Sequence, residues 1–139
     1  MRHSKKTIFL ISLLLAACQT DSRQQVLYTD KSQVELRAVQ TRAFDTTDQN
    51  LTVRTVIATL QDLGFVVDEV DDRLGTISGT KLDGYTMRMT ITVRPRRAHQ
   101  TIVRASAQYN ITAVSDAQPY QQFFDALSKA MFLEAHQVD

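Results

Sequence analysis

Residues 85–94 read YTMRMTITVR. Tyr85, Met87, Met89, Ile91 and Val93 alternate with Thr86, Arg88, Thr90, Thr92 and Arg94. In an extended chain successive side chains point to opposite faces, so this segment predicts a strand with one apolar and one polar face. Pro95 ends the pattern, and Arg96-Arg97-Ala98-His99 supplies a connection. The alternation then resumes, with Val103, Ala105, Ala107, Tyr109 and Ile111 on one face and Arg104, Ser106 and Gln108 on the other. Two such segments joined by a short turn form an antiparallel pair. A polar outer face means that the sheet is covered on one side only.

Working back from this hairpin, Asp83-Gly84 marks a tight turn, preceded by a short strand over Thr76–Lys81 and a turn over Asp71–Gly75. Phe65–Val70 is a further strand. Before it, Val53, Val56, Ile57, Leu60 and Leu63 recur at helical spacing and make one apolar stripe. Asp45-Thr46-Thr47-Asp48 offers several N-caps, and Gly64 suits the residue that follows a helix, where φ turns positive. Val34–Phe44 alternates in part and is expected to be the first strand. At the other end a helix over 118–135 starts with Pro119 in its first turn. Its stripe is Tyr120, Phe123, Phe124, Leu127, Ala130 and Met131. The order β-α-β-β-β-β-α predicts an α+β two-layer sandwich, a curved antiparallel sheet with two helices on its apolar face.

The N-terminus carries a different signal. Arg2, Lys5 and Lys6 precede an apolar run from Ile8 to Ala17, which ends in Leu15-Ala16-Ala17-Cys18. A run of this length is too short for the roughly 20 residues that cross a bilayer as a helix, and fits a secretory signal. Leu-Ala-Ala-Cys resembles the bacterial lipobox. That resemblance implies diacylglycerol transfer to the Cys18 sulfur, cleavage before it and acylation of the new amine. Two or three acyl chains make a stable anchor where one is marginal. Gln19, where a retained lipoprotein tends to have aspartate, points to the periplasmic face of the outer membrane. The expected organisation is a signal peptide over 1–17, a lipidated end and flexible tether over 18–32, and one domain over 33–139. Fully extended, the tether would reach about 45 Å.

Loss of the first 17 residues leaves 122 of the 139, enough for one domain and too few for two. It also leaves 13 of the 16 basic residues against 15 acidic ones, a formal net charge of −2. That balance argues against a general nucleic-acid binder. With Cys18, the one cysteine, acylated, no thiol remains for a disulfide or a thiolate metal site.

The segment LQDLGFVVDEVDDRLGTISGTK, residues 60–81, together with PYQQFFDALSKAMFLEA, residues 119–135, resembles the helix-grip domain of BamC-like envelope lipoproteins. In that family a helix ends in a Leu-Gly-Phe-like turn, and strands follow through an acidic turn with glycine. The chain also looks like small proteobacterial lipoproteins with one such domain. BamC itself has two domains and a long N-terminal segment that contacts another subunit of the barrel assembly machinery. This chain has one domain and a short tether, so that role is not carried over.

No catalytic constellation, cofactor site or metal site is expected. His99 and His136 are the only histidines after the signal segment, fewer than a metal site wants. Asp68, Glu69, Asp71 and Asp72 lack the alternating ligands of a calcium loop and read as a solvated strand end and turn. There is no G-x-S-x-G, and Gly75 and Gly79 do not make a phosphate loop.

What remains is a basic stripe: Arg88, Arg94 and Arg104 on the outward face, with Arg96 and Arg97 at one end. Guanidinium forks suit carboxylates and phosphates. Against this stands a plain soluble face, its charges blocking unwanted pairing. The expected function is a non-catalytic binding or scaffolding accessory of an envelope assembly. Its partners would be the membrane, through Cys18, and an envelope protein. The alternative is a small envelope hydrolase or ligand-binding protein.

Overall fold

The computed structural model describes residues 32–136. Cys18, the signal segment and nearly all of the tether lie outside the described residues. The compact unit taken up below starts at Leu36, and residues 32–35 belong to the unit before it.

The elements are α1 (32–39), β1 (Thr41–Phe44), α2 (Gln49–Asp62), β2 (Val66–Asp71), β3 (Thr76–Leu82), β4 (Thr86–Arg96), β5 (Gln100–Tyr109), β6 (Thr112–Ala113) and α3 (Gln118–Ala135). The sheet runs β1-β5-β4-β3-β2, every pairing antiparallel, with β6 on β5 as well. It is curved and unclosed, and α2 and α3 pack on its apolar face, as expected for an α+β sandwich.

Asp48 is the N-cap of α2: its Oδ1 accepts the Leu51 amide at 2.8 Å. Val53, Val56 and Leu60 are buried, and Ile57 and Leu63 half-buried. The apolar stripe did not point to Thr52, Thr55 and Thr59, which are buried beside it. Each hydroxyl donates to the carbonyl four residues earlier at 2.8 Å, so it enters the core already satisfied. The helix ends in a Schellman motif. Gly64, at φ 86°, donates to Gln61 O, and the Phe65 amide to Leu60 O. Phe65 is thereby turned into the core beside Leu60.

Three sequence expectations need correction. Val34–Phe44 is not one strand: 32–39 is helical and only Thr41–Phe44 pairs. The reason lies on β5. Its edge is free for β1 only at Thr101–Arg104, and Gln40 O takes the Ala105 amide. Beyond that point the Tyr120 hydroxyl and β6 occupy the edge, so Leu36 and Val39 reach the core from a helix instead.

Pro95 does not end β4, which continues to Arg96. The Val93 amide points to the β3 side, where Gly75 O accepts it. An amide at 95 would point the same way, past the end of β3, so proline costs no ladder bond there. Finally, Tyr85 and Ile111 lie in turns, 56 % and 93 % exposed, rather than on the apolar face.

Tyr120 closes the core at the gap between β1 and β6. The side chain is fully buried. Its hydroxyl donates to Val114 O at 2.7 Å and accepts from the Ala107 amide at 3.2 Å and Gln40 Nε2 at 3.1 Å. Tyr120→Phe keeps the ring and orphans these three groups. The expected loss is roughly 1–3 kcal/mol in denaturant unfolding, the cost of a buried polar group without a partner. A loss below about 0.5 kcal/mol, the level of an ordinary surface substitution, would mean that solvent reaches this gap.

Candidate functional site

Register decides which side chains share the outward face. Because residues two apart on a strand face the same way, Arg88, Arg94 and Arg96 on β4 lie on one face, opposite to buried Met89, Ile91 and Val93. Thr92 pairs with Arg104, which places Arg104 of β5 on that same face. Arg94 pairs with Ile102, so Arg94 and Arg104 are diagonal neighbours. Diagonal positions lie about 7–8 Å apart, within reach for long side chains. Arg88 stands apart, opposite Gln108 towards the other end of the hairpin. Arg97 lies in the β4–β5 turn with φ 56°. The structure thus brings Arg94, Arg96 and Arg104 together at one end and leaves Arg88 as a separate charge. All five arginines are exposed. Among the described residues the one ion pair is Arg42–Asp125, on the opposite face, so none of the five has a carboxylate within ion-pair distance.

The same face carries carboxylates at its β2 edge. Glu69 pairs with Ser78 and Asp71 with Thr76, both outward positions. A register shift between Val67 and Glu69 adds a residue to the strand, so that Asp68 also reaches the outward face and accepts a hydrogen bond from Thr80 Oγ1. Of the acidic cluster read from the sequence as a strand end and turn, Asp68, Glu69 and Asp71 thus line the β2 edge of the face that carries the arginines on β4 and β5. Between them lies a strip of short hydroxyl side chains. Ser78 and Thr90 join across β3 and β4 at 3.1 Å.

A second feature is a cavity of about 350 Å³ at the end of the covered face, by the start of α3. Phe65, Met87 and Met89 give it apolar walls, and Lys81, Asp83 and Asp116 add charge. The Tyr85 and Tyr109 rings meet edge to face in its lining, 4.7 Å between centroids. Partial burial, then Tyr85 and Asp116 nearby, push the Tyr109 phenol above its ordinary pKa. Apolar walls with charged groups beside them suit an amphipathic molecule. This cavity has no local signature in the sequence, because its charged groups come from the end of β3, the β3–β4 turn and the approach to α3.

His99 is exposed in the β4–β5 turn. His136 caps the end of α3, with Nδ1 2.7 Å from Phe132 O. Among the described residues, no three His, Cys, Asp or Glu side chains are grouped as metal ligands would be. No described helix is long and apolar enough to cross a membrane. No protein-family model matches the chain, and no curated protein matches it.

Proposed function

We propose that this chain is a lipid-anchored envelope protein that acts as a binding or scaffolding accessory, docking a partner on the outward face of its sheet. The observation that carries the reading is the group Arg94, Arg96 and Arg104, exposed on one rigid sheet face with no carboxylate in ion-pair reach among the described residues. The paired hairpin fixes the backbone spacing of these residues, so their guanidinium forks are offered to an acidic surface from one face. The Leu-Ala-Ala-Cys18 ending supports the anchor, and Gln19 supports the periplasmic face of the outer membrane. The likeness to single-domain BamC-like lipoproteins supports an accessory role and names no partner.

The test is capture from detergent-solubilised envelopes, comparing the acylated chain with Cys18→Ala and with Arg94→Glu/Arg104→Glu. The expected result is a stoichiometric partner whose capture falls about tenfold or more on charge reversal, as truncated or reversed interface charges do. The melting temperature of the reversed variant should stay close to that of the parent, because both positions are exposed. Capture that survives the reversal removes the outward face from the proposal.

A ligand-binding role is the second reading, and the 350 Å³ cavity favours it. The size falls within the roughly 300–1,000 Å³ range of small-molecule sites.

A further inference from the structure

We infer that the outward face is self-complementary and pairs with a second copy of this chain. The inference rests on the reading of that face as a docking surface, and gives it a partner.

The argument is one of register. Asp71 pairs with Thr76, Thr76 with Thr92, and Thr92 with Arg104. These four residues form one row across the sheet, acid at the β2 end and base at the β5 end. A second row has the same sense: Asp68 is held by Thr80, and Thr80 pairs with Arg88. Within one chain these charges do not meet in the first row. β2 and β5 are three strand steps apart, about 14 Å.

A two-fold axis along the strand direction, midway between β3 and β4, solves this. It lays β2 of one copy over β5 of the other at the same level along the strands. Asp71 then faces Arg104 of the second copy, and Arg104 faces its Asp71. In the other row Arg88 faces Thr80 and the carboxylate that Thr80 holds. Each contact occurs twice, as an isologous interface requires. The middle of the face is Thr76, Ser78, Thr90 and Thr92, short side chains that allow the sheets to approach to about 10 Å, the ordinary spacing of stacked sheets. Long arginine side chains at the border then span the gap.

The face is small. Four strands across and some six residues along give roughly 400 Å² per copy from strand spacing, the size of a weak, reversible contact. Charge pairing would set its orientation more than its strength, so salt should dissolve it.

The test uses two tagged forms of the full chain expressed together, brief cross-linking in cells, and capture through one tag. Parent with parent should be captured together. Arg88→Glu/Arg104→Glu with itself, and Asp68→Arg/Asp71→Arg with itself, should each fall about tenfold or more, since both rows become like-charged. Pairing the acidic variant with the basic one should restore capture, which also shows that both fold. No parent self-capture, retained capture in either reversed variant, or no restoration in the mixed pair would each overturn the inference. Capture of a different envelope protein that the acidic variant loses would uphold the docking proposal while self-pairing fails.

Discussion

Gly75→Ala is expected to lower the unfolding free energy by roughly 2–5 kcal/mol, the sum of a left-handed backbone cost and the strain of an overfilled contact. Gly75 has φ 61°, which L side chains adopt at a penalty. It also lies where the β2–β3 turn meets the protruding part of β4. A Cβ there would stand 2.3 Å from Val93 O and 2.7 Å from Gln49 Nε2. Gln49 could swing away, at the loss of its 3.1 Å bond to that same carbonyl. Val93 O is backbone and cannot move alone, because the Val93 amide is bonded to Gly75 O at 2.7 Å. One methyl group therefore presses on the turn, on β4 and on the start of α2 together.

Gly84→Ala is the control. Gly84 has φ 73° but open space around its Cβ direction, so it carries the conformational cost of about 1–2 kcal/mol without the collision. Urea unfolding of both variants at unchanged m value is the measurement. Equal losses would show that the close approach at Gly75 has little energetic weight.

Leu60→Ala is expected to cost roughly 2–5 kcal/mol, the transfer term of the lost methyl groups plus the cavity they leave. Leu60 has no exposure. It belongs to the last turn of α2, and its carbonyl receives the Phe65 amide in the Schellman motif. Its side chain reaches β3, where Gly79 leaves room: a Cβ at 79 would lie 3.7 Å from Leu60 Cδ1 and 3.3 Å from Phe65 Cβ. The helix terminus can relax little without pulling Phe65 out of the core, so the upper half of the range is expected. A loss below about 1 kcal/mol would mean that α2 settles onto the sheet to close the gap.

Much of this arrangement was legible from local chemistry. Period-two alternation over 85–94 identified β4 and the polar face of its hairpin. Leu60 to Phe65 announced a helix end, because a glycine there releases the chain into a left-handed turn. The parity of Arg88, Arg94 and Arg104 followed from the same alternation, so the candidate face was readable. Asp68, Glu69 and Asp71 were legible as acidic residues but not as the β2 edge of that face. Their place depends on which residue of β3 each one meets, and a one-residue shift at the bulge changes that.

The sequence by itself determined α2, α3 and strands β2 to β5 with their buried faces, because periodicity, caps and turn residues act within a few positions of one another. It determined the covered side of the sheet for the same reason. Only the tertiary structure decided that residues 32–39 are helical, since the edge of β5 they would need is taken by Tyr120 from 80 residues away, counted from Gln40. It also decided that Gly75 touches β4, that Lys81 and Asp116 share a cavity, and that Asp71 and Arg104 stand in one row. Each of these depends on long-range register, which is set by the combined packing of both helices on the sheet and has no local signature.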